Sequence, residues 1–225
     1  MTPKAVLLGS IGVLAETSDI QRRAYNQALE EAGVAWHWDP DTYRALLTDS
    51  GGKKRLARLS EADGGALTDS EINAIHARKT EVACAEVAQG ITLRPGIERV
   101  INEALAAGVP VALVTSTYRP NIDAIVTGAK GALPIERFSA VLTTEDCAQG
   151  KPSPEVYLEA LRRLGLAAAD VVAIEDSAPS VSAAKAAGIF TLATPGQFTA
   201  AQDFSAADRV LDSLDGISLD ALRRD

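Results

Sequence analysis

The feature that most constrains this chain is the alternation of short, continuous apolar runs with segments of helical periodicity. Ala5-Val6-Leu7-Leu8 ends at Gly9, and Val109 to Val114 follows a helical segment closed by Gly108. Further runs stand at Ala140-Val141-Leu142, Val171 to Ile174, Phe190 to Leu192 and Arg209-Val210-Leu211. Runs without polar alternation fit strands covered on both faces, as in a parallel sheet. Helical segments between most of them, notably Ile97 to Leu105, Pro154 to Leu164 and Ala178 to Ala187, provide the covering layers. The pattern predicts an α/β fold.

One stretch breaks the alternation. From about Ser18, with Asp19 able to cap, Ile20, Ala24, Ala28 and Ala32 recur every fourth residue until Gly33. Residues 36–90 continue as helical pieces broken by Asp39-Pro40, Gly51-Gly52 and Gly64-Gly65, with no strand-like run. The expected organisation is a core of residues 1–15 and 93–225, with an all-helical unit of residues 16–92 inserted after the first strand. With 225 residues, 47% of them hydrophobic, the chain can bury such a core.

A net charge of −8 argues against nucleic acid or an anionic membrane surface as a partner. No apolar run approaches the ~20 residues of a membrane span. The N-terminus lacks signal-peptide architecture, and the two cysteines, Cys84 and Cys147, have no metal-type spacing. A reduced, cytoplasmic location is the resulting expectation.

In open parallel sheets the ligand crevice lies beyond the carboxyl ends of the strands. Three groups of polar residues fall there. Thr115-Ser116-Thr117 offers hydroxyls and backbone N–H groups suited to a phosphate, or alternatively the cap of the next helix. Lys151, in Gly150-Lys151-Pro152-Ser153-Pro154, can neutralise a phosphoryl oxygen. Glu175 and Asp176, followed by Ser177, suit a hard cation such as Mg²⁺, or else a helix N-cap.

In that order, the three groups resemble motifs two, three and four of the haloacid dehalogenase superfamily. Further stretches resemble its CbbY and β-phosphoglucomutase-like subgroup: Ala24-Tyr25-Asn26, Gly51-Gly52-Lys53-Lys54-Arg55, Arg94-Pro95-Gly96, Glu175-Asp176-Ser177-Ala178-Pro179, Thr194-Pro195 and Asp203-Phe204-Ser205. The resemblance implies a Rossmann-like core with a helical cap, a Mg²⁺ cofactor, and a phosphorylated sugar as small-molecule partner to a monomer or weak dimer. It also implies substrate contacts from Gln21, where the subgroup often has histidine, and from Gly52, Lys53 and Arg55 in the cap loop. His37 and His76 match no catalytic position of the family and read as surface or structural residues.

The first motif departs from the family. Relatives read approximately Phe-Asp-x-Asp-Gly-Val-Leu, whereas this chain reads Leu8-Gly9-Ser10-Ile11-Gly12-Val13-Leu14. Gly9 stands at the position of the aspartate nucleophile and Ile11 at that of the acid/base. Neither residue can attack phosphorus or exchange a proton. In a hydrolase whose catalytic groups act as a unit, loss of the nucleophile cost on the order of 10⁶ in turnover. The expected protein is a phosphatase homologue that retains a phosphate crevice but is catalytically impaired. Mg²⁺ binding should be weakened by the missing aspartate. Ser10 should point away from the crevice if the strand remains extended. The alternatives are an active hydrolase using unusual groups, such as Glu16 or a metal on Glu175 and Asp176, and a non-enzymatic partner-binding protein.

Overall fold

In a computed structural model, which describes residues 2–48 and 51–223, six parallel strands form one sheet. The strands are β1 (Ala5–Leu8), β2 (Val111–Val114), β3 (Ala140–Leu142), β4 (Val171–Glu175), β5 (Phe190–Ala193) and β6 (Arg209–Val210), in the order β3-β2-β1-β4-β5-β6. Adjacent strands pair parallel throughout, with Leu7 opposite Ala112 on one side and Ala173 on the other.

Both faces of the sheet are covered, which is why the strands read as unbroken apolar runs. Val6, Leu8, Leu113 and Ile174 enter one core cluster, while Ala5, Leu7, Val114 and Ala173 enter another on the opposite face. The period of two along each strand sorts neighbouring residues into the two layers.

Between β1 and α5 (Ile97–Ala106) lie α1 (Ser18–Glu31), α2 (Pro40–Leu46), α3 (Gly52–Ala62) and α4 (Asp69–Gln89). These helices share their own apolar cluster, built on Tyr25, Leu29, Trp38, Tyr43, Leu56 and Ile75. Asn26 fastens the start of the unit by exchanging two hydrogen bonds with the Trp38 backbone, at 2.9 and 2.8 Å. Thr68 and Glu71 form a reciprocal capping box at the start of α4. Asp19 does not cap α1. Thr17 holds that position without a side-chain bond, and Asp19 pairs with Arg22 and Arg23 in the first turn. No helix among the described residues is long and apolar enough to cross a membrane.

The remaining helices are α6 (Arg119–Gly128), α7 (Glu155–Leu164) and α8 (Ala178–Ala186). From β1 the chain builds the sheet outward through β2 and β3, then returns to the other side of β1 for β4 to β6. This reversal opens a crevice at the carboxyl ends of β1, β2 and β4. Their last residues lead directly into Gly9, Thr115 and Asp176.

Leu7 and Leu8 are both fully buried, on opposite faces. Leu7→Ala and Leu8→Ala should therefore each lower the unfolding free energy by about 2–5 kcal/mol in urea denaturation. A strand wetted on one face would make one of the two substitutions nearly neutral.

Candidate functional site

The strand ends open into a cavity of about 450 Å³ whose opposite wall comes from α1, α3 and α4. The cavity brings together Ile11, Thr115, Ser116, Lys151, Glu175 and Asp176 from the sheet side with Gln21, Gly52, Lys53 and Arg55 from the helical side. Gly9 does not line it, because a glycine exposes only backbone there and the Glu175 side chain covers it.

The floor is a buried polar network. Lys151 Nζ donates to Val114 O at 2.9 Å, to the Tyr157 hydroxyl at 3.2 Å and to Glu175 Oε1. The Tyr157 hydroxyl also donates to Glu175 Oε1. Burial, with the Glu175 carboxylate beside it, raises the Tyr157 pKa well above its ordinary value, so the phenol stays a donor. Glu175 Oε2 lies 2.5 Å from where a Cβ on Gly9 would stand, and Val13 Cγ2 lies 2.8 Å from it. Any side chain at position 9 would therefore have to displace the Glu175 carboxylate.

Ser10 departs from the sequence expectation. The strand ends at Leu8, so strict alternation no longer applies, and the Ser10 hydroxyl turns into the cavity wall. It lies 2.8 Å from Thr115 Oγ1, which in turn accepts from Thr117 N at 3.1 Å. Ser116 Oγ accepts from Lys151 N at 2.8 Å. None of these hydroxyls caps a helix: α6 begins after Tyr118 without a side-chain cap. Ser177 precedes α8 but bonds Ser180 Oγ at 2.9 Å rather than capping.

Asp176 is held against the loop after β1, its carboxylate occupying the space a Cβ on Gly12 would need. Gly12 has a φ of +79°, so both conformation and contact demand glycine. Burial raises the Asp176 pKa to about 8, with Glu175 and Glu16 adding to the shift and Lys151 and Arg94 opposing it. The Arg94 guanidinium fixes this loop by donating to the carbonyls of Gly12, Thr194 and Pro195. Glu16 is engaged elsewhere: its carboxylate accepts from Ser18 N at 3.3 Å and Gln197 N at 3.0 Å.

The helical wall carries the positive charge. Lys53 Nζ lies 5.6 Å from the Tyr118 ring centroid, and Lys79 Nζ lies 4.9 Å from that of Tyr25. Arg55 sits over Tyr25 and Tyr43 and donates to Leu46 O at 2.8 Å. Burial pulls the Lys79 pKa down to about 8, aided by Arg55 and opposed by Cys84. Burial also pulls His76 down to about 4, with Lys79, Lys53 and Arg55 adding to it, so its imidazole is neutral at physiological pH. His76 thus belongs to the cavity wall and not to the surface, its ring 5.3 Å from Tyr118, whereas His37 is exposed. Two buried acceptors on this wall, Gln21 Oε1 and the Tyr25 hydroxyl, have no hydrogen-bond partner among the described residues.

Sequence reasoning assigned no site role to Ser10, Tyr25, His76, Lys79 or Tyr118. A signal for two of them was present. The buried stripe of α4 runs Ile72, Ile75, His76, Lys79, Ala83 and Val87, and an imidazole and an ammonium in an otherwise apolar stripe need a reason to be there.

The Mg²⁺ that the resemblance implies does not fit these residues. Glu175 is committed to Lys151 and Tyr157, Asp176 is buried with its carboxylate packed against Gly12, Gly9 and Ile11 offer no carboxylate, and no group of three or more His, Cys, Asp or Glu side chains among the described residues is placed to hold a metal ion.

A parallel α/β core with a crevice at its strand ends defines a class of fold, and comparison with known proteins agrees. The family model for haloacid dehalogenase-like hydrolases matches residues 3–188, and the chain belongs to that family. It is 41% identical over 211 residues to Protein CbbY of Cereibacter sphaeroides, covering 93% of this chain and 92% of that protein. A crystal structure of a CbbY variant from Rhodobacter sphaeroides in complex with xylulose-(1,5)-bisphosphate superposes with a TM-score of 0.91 at 40% identity, over 98% of this chain and 99% of that one. A β-phosphoglucomutase from Clostridium difficile shares the fold at a TM-score of 0.79 and 18% identity, over 96% of this chain and 93% of its own.

The floor network makes a thermodynamic prediction. Lys151→Met would leave Glu175 buried without its cation and should cost about 3–5 kcal/mol of stability. Adding Glu175→Leu should restore most of that loss, and urea denaturation of the single and double variants measures the difference.

Proposed function

We propose that this protein binds a sugar phosphate in the cavity between core and helical unit and does not hydrolyse it through an aspartyl-phosphate. The observation that carries the reading is the strand end without a carboxylate: Gly9 lies covered by Glu175, and Ile11 lines a cavity whose opposite wall carries Lys53, Arg55 and Lys79. Residues 16–92 act as the cap of a core formed by residues 1–15 and 93–225. Ser10, Thr115 and Ser116 serve the core end of the ligand, and Lys151, its three N–H groups already engaged, lies beneath them as the partner of Glu175. Gln21, Gly52, Lys53 and Arg55, joined by Lys79 and Tyr25, serve its far end.

Several features support this assignment. The helical wall concentrates cations on aromatic faces, Arg55 and Lys79 buried and Lys53 half-buried, where they line the cavity offered to an anion. The orphan acceptors Gln21 Oε1 and Tyr25 Oη match the hydroxyl donors of a sugar. A Cβ on Gly52 would collide with the Tyr25 hydroxyl and His76, so this residue lets the chain approach the wall closely. A CbbY relative is known in complex with xylulose-(1,5)-bisphosphate, a ligand with an anion at each end.

An active hydrolase with unusual groups finds less support. Ser10 has a hydroxyl and not a general base as its partner, and Glu16 is occupied by backbone N–H groups.

Calorimetry with xylulose-1,5-bisphosphate tests the proposal: a saturable heat without release of inorganic phosphate is expected, and the absence of binding would refute it. Affinity should also depend on pH. Lys79, whose pKa lies at about 8, is cationic below that value and neutral above it, and Asp176 gains negative charge over the same range. Both changes disfavour an anion, and the ligand's own second phosphate ionisation, at about pH 6, is already complete. Binding should therefore weaken from pH 7 to pH 9, approaching about tenfold per pH unit for each linked proton. Lys79→Arg should flatten the Lys79 part of this profile.

A further inference from the structure

We infer that this cavity takes its phosphorylated ligand without a divalent cation, because Glu175 serves here as the counter-ion of Lys151 and not as a metal ligand. The inference rests on the sugar-phosphate reading above and concerns how that same site is neutralised.

The argument begins with the position of one carboxylate. Glu175 Oε1 accepts from both Lys151 Nζ and the Tyr157 hydroxyl, and the pair is almost wholly shielded, with side-chain exposures of 2% for Glu175 and 3% for Lys151. Its other oxygen, Oε2, stands over the bare backbone of Gly9, in space a side chain would otherwise require. Gly9 N meanwhile donates to Ile174 O at 3.0 Å, so backbone pairing continues past the end of β1 and keeps the floor flush. A metal would have to draw Glu175 away from Lys151 and Tyr157, leaving a buried ammonium and a buried phenol to find new acceptors.

The second part is charge. A phosphate dianion placed beside two aspartates is repelled by both, and a divalent cation offsets that repulsion. Positions 9 and 11 of this chain carry no charge, and Glu175 is already compensated. What faces the anion across the floor is the Ser10–Thr115 hydroxyl pair, two neutral groups that can each turn a proton toward a phosphoryl oxygen. The attraction comes from the opposite wall, where Lys53 and Lys79 sit over aromatic rings. The absence of carboxylates at positions 9 and 11 therefore takes away a metal ligand and, with it, the repulsion a metal would offset.

The test uses the full chain in two independent arms. Titrated calorimetrically with xylulose-1,5-bisphosphate in excess EDTA and in excess MgCl₂, the protein should give dissociation constants within about twofold of each other. Tightening by Mg²⁺ of about tenfold or more would overturn the inference. In the second arm Mn²⁺ is titrated into the protein, alone and with the bisphosphate, and followed by electron paramagnetic resonance. The spectrum should remain that of free Mn²⁺. A bound signal that Glu175→Gln or Asp176→Asn abolishes would overturn the inference whatever the calorimetry shows. If the bisphosphate binds in neither buffer, the sugar-phosphate reading falls, and the Mn²⁺ titration still decides the metal question. Gly9→Asp, checked for folding by circular dichroism, should make binding Mg²⁺-dependent where the parent protein is not. Equal binding in both buffers by a folded Gly9→Asp protein would contradict the charge argument.

Discussion

The buried contact of Lys151 with Glu175 and Tyr157 is the constraint on which the floor of the cavity depends. It joins the loop before α7, the first turn of that helix and the end of β4, and through the bond to Val114 O it reaches β2 as well. Charges so deeply buried persist only when each has its partner. The network therefore holds two strand ends, a loop and a helix in one arrangement, and it does so without any carboxylate from β1. In a chain with an aspartate at position 9 the same space could not be filled this way, since a Cβ there would meet Glu175 Oε2.

That arrangement divides the proposed site into two poles. The core pole is closed and locally neutral, built from an internal ion pair, hydroxyls and the apolar side chain of Ile11. The helical pole is cationic, with Lys53, Arg55 and Lys79 gathered on Tyr118, Tyr25 and Tyr43. His76 lies among them and stays neutral because burial and three neighbouring cations oppose a further positive charge. Attraction for an anion is thus strongest where no bond-breaking group stands. The apparatus for holding a phosphate and the apparatus for cleaving one are physically separable, and the proposed function has this chain keep the former.

Much of the fold was legible because strand burial and helix periodicity leave direct marks on a sequence. The runs at Ala5–Leu8, Val111–Val114 and Val171 to Ile174 are apolar throughout because both sheet faces are covered, and α6, with Pro120 in its first turn, was the helix no pattern singled out. At the strand ends, Thr115, Ser116, Lys151, Glu175 and Asp176 were named, and they do line one cavity. What could not be read was pairing across the fold. Nothing local indicates that Glu175 turns toward Lys151, that Ser10 meets Thr115 across 105 positions, or that Arg94 gathers the carbonyls of Gly12, Thr194 and Pro195. Alternation misjudged Ser10 because the strand had already ended. His76 and Lys79 were passed over because a polar residue in a helical stripe acquires meaning only when its neighbours are known.

The most direct test of binding without turnover is phosphorus-31 NMR of xylulose-1,5-bisphosphate mixed with the protein at neutral pH. Perturbation of its two phosphate resonances, with no inorganic phosphate accumulating over many hours, is the predicted result. Steady catalytic growth of the inorganic phosphate signal, lost in Asp176→Ala, would contradict the account.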